Sequence, residues 1–239
     1  MANHDIADMR KTYQGSQDIF DFTDLVSKEP FDQFHSWHEE TQRTNGIDTA
    51  NTVSLATATK DGKPSVRTVQ MKEVDKRGFV FCTNHLSRKA RELAENPRAS
   101  LLFYWTSNSG PTISRQVRIE GTVEQVSEAE SNKYFYSRPR DAQISNSISE
   151  QSSLLQSRKV LEDRYNSFVE EYRDSNINIP KPNHWGGFRV IPSRFEFWQG
   201  QTSRLHDRIV FRKLDEGETI NPDFTHVGTD GWVYERLMP

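Results

Sequence analysis

Short runs that alternate apolar and polar residues dominate the first half of the chain. The run at 52–59 alternates in this way, the Asp-Gly pair at 61–62 supplies a turn, and 66–72 continues as the return strand. A second turn at 75–78 leads into an apolar run at 79–83. Side chains that alternate with period two lie on opposite faces of a strand. The pattern therefore predicts antiparallel hairpins.

Further strands follow the same signals in the rest of the chain. They are predicted at 99–105, 115–126, 187–191, 194–198, 208–213 and 232–237, with exposed loops at 106–114 and 214–230. In the strand at 115–126, Gln116, Arg118 and Glu120 share one face. Seven or eight short strands, mostly joined as hairpins, predict a β-rich α+β protein. An antiparallel barrel, closed or split, with peripheral helices is the expected architecture.

Four helices are predicted from apolar spacing and capping residues. The first opens at Pro30 and the second runs from Arg88 to Glu95 with Ser87 as N-cap. The third begins with a capping box and ends at Pro139, and the fourth begins near Ser157 with its aromatic stripe in the core. The residues that indicate these helices are Phe31, Phe34 and Trp37 for the first, Ser127, Glu130, Tyr134, Phe135 and Arg138 for the third, and Leu161, Tyr165, Phe168 and Tyr172 for the fourth.

Composition excludes several functional classes. Cys82 is the only cysteine, which excludes an internal disulfide and predicts a reducing, cytoplasmic location. The longest apolar run, 101–105, is too short to cross a bilayer, so no membrane partner is expected. The net charge of -3 predicts no nucleic-acid partner. His35 and His38 lie too close in sequence to share one helix face, and no metal site is predicted.

A basic segment at 63–91 indicates a local anion site. Arg88 and Lys89 fall in the first turn of the second helix, where free backbone N–H groups and the positive end of the helix dipole already attract anions. Cations are unfavourable there unless an anion binds. The alternative is a pair of solvated surface charges, and the residues themselves favour neither.

A second polar stretch follows the strand at 194–198. Trp198, Arg204, His206, Asp207 and Arg208 fall within a dozen residues around a Gly/Thr/Ser turn. Two guanidinium groups, an imidazole and a flat apolar ring suit an anionic, planar ligand. The alternative is an exposed hairpin in which Asp207 pairs with its neighbouring arginines.

Six motifs in this order resemble the pyridoxamine 5'-phosphate oxidase family, from about Arg10 to the C-terminal 235–239. They are 67–72 (RTVQMK), 83–90 (TNHLSRKA), 115–118 (RQVR), 134–140 (YFYSRPR), 185–187 (WGG) and 196–200 (EFWQG) through 204–208 (RLHDR). The resemblance implies an FMN-binding split barrel that works as a homodimer with flavin at the subunit interface. It also implies an enzyme that oxidises pyridoxamine 5'-phosphate or pyridoxine 5'-phosphate to pyridoxal 5'-phosphate while reducing O2 to hydrogen peroxide.

The same resemblance implies the site residues. For FMN they are Arg67, Thr68, Val69, Gln70, Met71, Lys72, Cys82, Thr83, Arg88, Lys89, Gln116, Gln151, Ser152, Trp198 and Arg208. For substrate they are Lys72, Tyr134 and Arg138 at the phosphate, Arg204, Leu205 and His206 at the ring, and Arg10, Lys11, Thr12 and Tyr13 as a closing segment. Arg204 and His206 are the catalytic candidates, with Arg204 orienting the ring and His206 assisting proton movement.

Three segments are expected: an N-terminal segment and helix at 1–46, a flavin-binding barrel at 47–184 with a helical excursion at 128–175, and strands at 185–239 that complete the barrel and dimer interface. A non-catalytic relative that keeps the fold and binds FMN or pyridoxal 5'-phosphate is the second hypothesis. Ala142, where the family usually has a phosphate-binding serine, and the changed residues 145–147 favour it. A nucleic-acid-binding barrel is the third, and a pI near 6.2 disfavours it.

Overall fold

The computed structural model describes residues 18–107 and 112–239, so the predicted closing segment at 10–13 lies outside the described residues. A 3-10 turn at Phe22–Asp24 precedes the regular elements. The helices are α1 Pro30–Arg43, α2 Arg88–Glu95, α3 Glu128–Tyr136, α4 Arg140–Ile148 and α5 Arg158–Glu171. The strands are β1 Thr52–Ala58, β2 Pro64–Asp75, β3 Gly78–Asn84, β4 Arg98–Ser107, β5 Ile113–Gln125, β6 Trp185–Gln199, β7 Asp207–Lys213, β8 Thr225–Val227 and β9 Trp232–Arg236.

Six strands close into a barrel. The strand order is β3-β2-β1-β4-β5-β6, and β6 pairs back onto β3, which confirms the predicted antiparallel barrel. β7, β9 and β8 continue the sheet beyond β6. Thr52 lies opposite Gln70 and Asp75 opposite Gly78, so the predicted hairpins have formed. Because β3 pairs with β6, β3 does not form a free edge of the sheet.

The chain divides into two compact units, and β4, β5 and β6 each contribute to both. The first unit comprises 1–50, 104–117 and 195–239. Its core packs the apolar face of α1 against aromatic residues of the sheet. Phe31 lies 5.2 Å from Phe195 and Trp37 lies 5.3 Å from Phe197, both edge to face. The predicted face of α1 is therefore confirmed, with Phe34 1% exposed.

The second unit comprises 51–103 and 118–194. Leu55, Phe79 and Phe81 are fully buried inside the barrel. A separate cluster forms where α3 covers the sheet, with Phe135 lying 5.3 Å from Trp185. This cluster fixes the start of β6 against α3, and both elements supply residues to the site described below.

Two strands that the sequence predicts separately form one continuous strand in the structure. The runs at 187–191 and 194–198 belong to the continuous β6, although Pro192 lies between them. Pro192 has no N–H to donate, but the pairing of β6 with β3 already ends at Val190, so no hydrogen bond of that ladder is lost. The Cβ that any other residue would carry at Gly121 would lie 2.1 Å from the carbonyl oxygen of Ile191. Glycine is therefore required where β5 passes this part of β6.

Two further predictions need correction, and one helix has no counterpart among the predictions. Arg138 follows α3 instead of lying on it, because Ser137 already caps the helix. Helix α4 was not predicted, since it is rich in polar residues and begins at Pro139 without a side-chain cap. The loop at 214–230 contains the short strand β8.

Helix α5 forms as predicted, but its aromatic stripe is not core. None of its residues is fully buried, and Tyr165, Phe168 and Tyr172 pack only partly against the cluster around Phe135. Apolar spacing predicts which face of a helix turns inward and not how deeply that face is covered. In the described part of the chain, no helix is long and apolar enough to cross a membrane.

Candidate functional site

A buried ammonium group lies at the start of α2 in the second unit. Lys89 is 9% exposed, and its Nζ donates to Gln151 Oε1 at 2.7 Å, Thr83 Oγ1 at 3.0 Å and Ser87 Oγ at 3.3 Å. All three acceptors are neutral. Burial, and then the charge of Arg67, lower the pKa of Lys89 to about 8. A buried cation without a carboxylate partner is costly, so this arrangement suits a bound anion.

Arg88 has a different environment from its neighbour. Its side chain is 59% exposed, and its Nε donates to Glu92 Oε1 at 2.8 Å, one turn along α2. The interpretation as a solvated surface charge describes Arg88, whereas the burial of Lys89 does not fit that interpretation. The backbone N–H of Arg88 donates to Ser152 Oγ at 3.1 Å. Ser152 has a φ of 75°, an uncommon conformation for a residue other than glycine.

Glu92 is a buried carboxylate that the sequence did not mark as functional. Its Oε2 accepts from Thr57 Oγ1 at 2.5 Å and Ser65 Oγ at 2.6 Å, and lies 3.3 Å from Arg67 Nη2. Burial alone would raise the pKa of Glu92, but these hydrogen bonds, the bond from Arg88 and the charge of Arg67 lower it to about 2. Glu92 therefore remains ionised and fixes the guanidinium of Arg67.

A cavity of about 240 Å³ in the second unit brings together the three residues predicted for the substrate phosphate. Its lining residues are Gln70, Lys72, Cys82, Tyr134, Ser137, Arg138, Pro139 and Trp185. The β2–β3 register shifts between Met71 and Glu73, so Lys72 is the extra residue of a bulge. Bulges re-aim side chains near active sites. Here the bulge accompanies the exposure of Lys72 at the cavity.

Arg138 contributes a cation with unused hydrogen-bonding capacity. Its Nε is buried and has no hydrogen-bond partner among the described residues, and its guanidinium carbon lies 5.7 Å from the ring centre of Trp185.

Burial raises the pKa of the Cys82 thiol to about 11, against the opposing charges of Lys72 and Arg138. Cys82 is therefore a neutral, half-buried wall of the cavity instead of a reactive thiolate.

The first unit holds the predicted catalytic pair on the turn between β6 and β7. The backbone N–H of Gln201 donates to Nδ1 of His206 at 3.0 Å, and the imidazole lies 4.9 Å from the ring of Trp198. Because Nδ1 accepts, the neutral imidazole carries its proton on Nε2. Burial, and then the charge of Arg204, lower the pKa of His206. Arg204 itself has a φ of 70°, so the turn holds it in an uncommon conformation.

Asp207 does not pair as the hairpin interpretation predicts. It is 7% exposed, and its carboxylate accepts from Gln201 Nε2 at 2.6 Å, from the backbone N–H of Phe20 at 3.0 Å and from Arg236 Nη1 at 3.2 Å. Arg208 pairs with Glu196 at 2.8 Å. Asp207 therefore fixes the base of the turn to β9 and to the segment before α1.

The remaining flavin candidates fall into two sets. On β2, Thr68 and Gln70 are exposed, Arg67 and Val69 are half-buried, and the Met71 side chain is 5% exposed. Gln116 and Leu205 lie in the first unit with Trp198, Arg204, His206 and Arg208. The motifs did not identify three residues that contact the predicted site residues, namely Glu73, Glu92 and Gln201. Helical spacing offered a signal only for Glu92, which lies four residues after Arg88.

Comparisons with known proteins agree along most of the chain. The family described as Pyridoxamine 5'-phosphate oxidase matches residues 39–168, and the one described as Pyridoxine 5'-phosphate oxidase C-terminal dimerisation region matches 185–239. Pyridoxine-5'-phosphate oxidase of Bos taurus is 46% identical over 98% of this chain and 88% of the relative. Pyridoxine/pyridoxamine 5'-phosphate oxidase of Trichormus variabilis is 45% identical over 98% of each.

Solved structures give the same fold. PhzG of Burkholderia lata, in complex with tetrahydrophenazine-1-carboxylic acid, is 27% identical with a TM-score of 0.79, covering 95% of this chain and all of that one. A pyridoxamine 5'-phosphate oxidase-related, FMN binding protein of Nostoc punctiforme is 16% identical with a TM-score of 0.61, covering 88% and 98%. The predicted split-barrel fold is confirmed.

Proposed function

The chain belongs to the pyridoxine/pyridoxamine 5'-phosphate oxidase family, a family of oxidoreductases, and on that premise we propose its substrates and cofactor. It oxidises pyridoxamine 5'-phosphate and pyridoxine 5'-phosphate to pyridoxal 5'-phosphate, with FMN as cofactor and O2 reduced to hydrogen peroxide. It works as a homodimer, and the match of 185–239 to a dimerisation region supports this part of the proposal. The flavin lies at the subunit interface. A cytoplasmic location, expected from the single cysteine, is part of the proposal.

The cavity lined by Lys72, Tyr134 and Arg138 is the observation that carries the substrate assignment. An ammonium and a guanidinium with an unsatisfied Nε converge on a space of about 240 Å³, which suits a phosphate group. A guanidinium and an ammonium bind a phosphate oxygen through short, charge-assisted hydrogen bonds. Ser137 also lines this cavity, and its Oγ donates to the backbone carbonyl oxygen of Tyr134 at 2.9 Å.

The residues around Lys89 fit the phosphate of FMN. Lys89 supplies a buried positive charge, Arg67 supplies a guanidinium fixed by Glu92, and Ser152 and Gln151 supply polar groups at the start of α2. The exposed face of β2, with Thr68 and Gln70, would lie along the flavin. When bound, FMN would take two electrons from the substrate and deliver them to O2. Gln116, Trp198 and Arg208 complete the proposed set.

The turn residues of the first unit position the pyridine ring. His206 holds a proton on Nε2, and its lowered pKa keeps the imidazole neutral near pH 7, so it can donate one hydrogen bond to the substrate. Arg204 supplies the charge that orients the ring, and its constrained backbone limits where that charge can move. Leu205 is 71% exposed and would contact the substrate. The segment from Arg10 to Tyr13 is proposed to close over it.

The test compares oxygen consumption and pyridoxal 5'-phosphate formation with each of the two substrates. The FMN-loaded protein is expected to consume O2 and form aldehyde product in equal amounts. Lys72→Met should raise the KM strongly, whereas Lys76→Met, at an exposed lysine that does not line the cavity, should not. Tight FMN binding without product formation from either substrate would contradict the proposal and favour the non-catalytic relative.

A further inference from the structure

The hydroxyl of Tyr134 already donates its proton to a carboxylate that is not part of the cavity lining. Tyr134 is 8% exposed and lines the cavity, and its Oη donates to Glu73 Oε2 at 2.6 Å. Glu73 does not line the cavity. It follows Lys72 directly, at the point where the β2–β3 register shifts. The bulge that accompanies the exposure of Lys72 thus also brings a carboxylate to the phenol.

This hydrogen bond fixes what Tyr134 can offer to a ligand. A phenol has one proton to donate and lone pairs that accept, and an ionised carboxylate can only accept. While its proton is held by Glu73, Tyr134 presents only lone pairs to the cavity. A phosphomonoester dianion also has only acceptors, so it gains no hydrogen bond from Tyr134. A monoanion carries one P–OH group, which can donate to the Tyr134 oxygen.

The charged neighbours are consistent with this arrangement. Glu73 lies 3.7 Å from Lys133 and 3.8 Å from Arg77, so two cations flank the carboxylate that accepts from the phenol. Burial, and then the hydrogen bond to Glu73, raise the pKa of Tyr134, with smaller contributions from Cys82 and Glu130. The phenol therefore stays protonated over the physiological range. Lys72 and Arg138 are the cations that face the ligand.

We propose that Glu73 is a specificity-determining residue, and that through Tyr134 it selects the monoanionic form of the substrate's phosphate. This inference rests on the proposed function and adds the protonation state in which the substrate binds. The second pKa of a phosphomonoester is about 6, so above that pH the monoanionic fraction falls about tenfold per pH unit. Ligand affinity should fall with it.

Phosphorus NMR on the FMN-loaded protein reads the protonation state directly. The probe is 4-deoxypyridoxine 5'-phosphate, which has the ring and phosphate but no oxidisable group at the 4 position. In the unsubstituted protein, the phosphorus chemical shift of the bound probe should remain that of the monoanion up to about pH 8. The phosphate of the free probe titrates near pH 6. Its Kd should rise about tenfold between pH 7 and 8.

Glu73→Gln changes the hydrogen bond without removing it. A glutamine NH2 can donate to the Tyr134 oxygen, which releases the phenolic proton toward the cavity. The variant should bind the probe as the dianion at pH 8, with a Kd about tenfold lower than that of the unsubstituted protein and nearly independent of pH above 7. Glu124→Gln removes the same charge at an exposed position and should change neither the shift nor the Kd.

Tyr134→Phe separates the hydrogen bond from general electrostatics. If Glu73 acts through the phenol, Glu73→Gln should have no effect on the phosphorus shift when Tyr134 is already phenylalanine. A dianion shift for the bound probe in the unsubstituted protein at pH 8 would overturn the inference and leave the proposed function intact. Absence of probe binding in every variant, with FMN bound, would overturn the proposed function itself.

Discussion

Lys89 Nζ lies 2.7 Å from Gln151 Oε1, and its other two hydrogen-bond acceptors are the hydroxyls of Thr83 and Ser87. None of these partners carries charge. Lys89 thus differs from Arg88, the preceding residue, which pairs with Glu92 at 2.8 Å and is 59% exposed. Two adjacent cations of one helix turn therefore have different environments, and we expect them to contribute differently to FMN binding.

Lys89→Met should weaken FMN binding by about 100-fold, because a charge-assisted hydrogen bond to phosphate contributes up to about 3 kcal/mol. Arg88→Met should weaken it by less than about fivefold, since an exposed ion pair contributes about 1 kcal/mol or less. Quenching of flavin fluorescence gives both Kd values. Equal losses for the two variants would mean that burial does not decide which cation binds the phosphate.

The affinity for FMN should fall as the pH rises past about 8. The folded-state pKa of Lys89 is lowered to about 8 by burial and by Arg67, so in the free protein the ammonium form predominates below that pH and is lost above it. Phosphate binding needs the ammonium form, and the Kd should therefore begin to rise above pH 8. Lys89→Arg, which keeps its charge, should remove this dependence. The check is a series of Kd measurements from pH 6.5 to 9.5.

Glu92→Gln should destabilise the protein by roughly 3 kcal/mol at pH 7, from a pKa lowered from 4.5 to about 2 in a nearly buried group. A depressed carboxyl pKa stabilises the fold above pH 4.5, and the contribution is lost as the pH falls from 4.5 towards 2. The stability gap between the two proteins should close over that range. Denaturant unfolding at several pH values measures it, with Glu124→Gln as the exposed control.

Arg204→Ala should lower kcat by about 100-fold and leave the Kd for FMN unchanged, because the guanidinium is proposed to orient the ring. Arg43→Ala, at a side chain that is 77% exposed, should change neither quantity. Steady-state kinetics with pyridoxamine 5'-phosphate make the comparison. The positioning role would be wrong if Arg204→Ala kept its kcat while Lys72→Ala lost it.

Local patterns were sufficient to predict the elements that build the barrel. Alternation and the Asp-Gly turn predicted β1 and β2, and Ser87 predicted α2 with the same bounds that the structure has. Helix α4 was missed because nothing in its own composition marks a helix start. The split of β6 at Pro192 was wrong because β3, a partner that a local pattern cannot include, pairs with β6 only as far as Val190.

The site shows the same division between local and long-range information. Motifs placed Lys72, Tyr134 and Arg138 together, and one cavity contains all three. They gave no signal for Glu73 holding the phenol or for Arg236 pairing with Asp207, since these contacts join residues 61 and 29 positions apart in the chain. The direction in which a side chain donates its proton depends on such contacts, and the sequence alone could not predict it.

The central claim is that this protein binds a flavin that its substrate reduces. The most direct test is the visible absorption spectrum of the purified, FMN-loaded protein before and after anaerobic addition of pyridoxamine 5'-phosphate. We expect the flavin absorbance to bleach on addition of substrate and to return when oxygen is admitted, with pyridoxal 5'-phosphate formed. A flavin spectrum that stays unchanged at saturating substrate would contradict it.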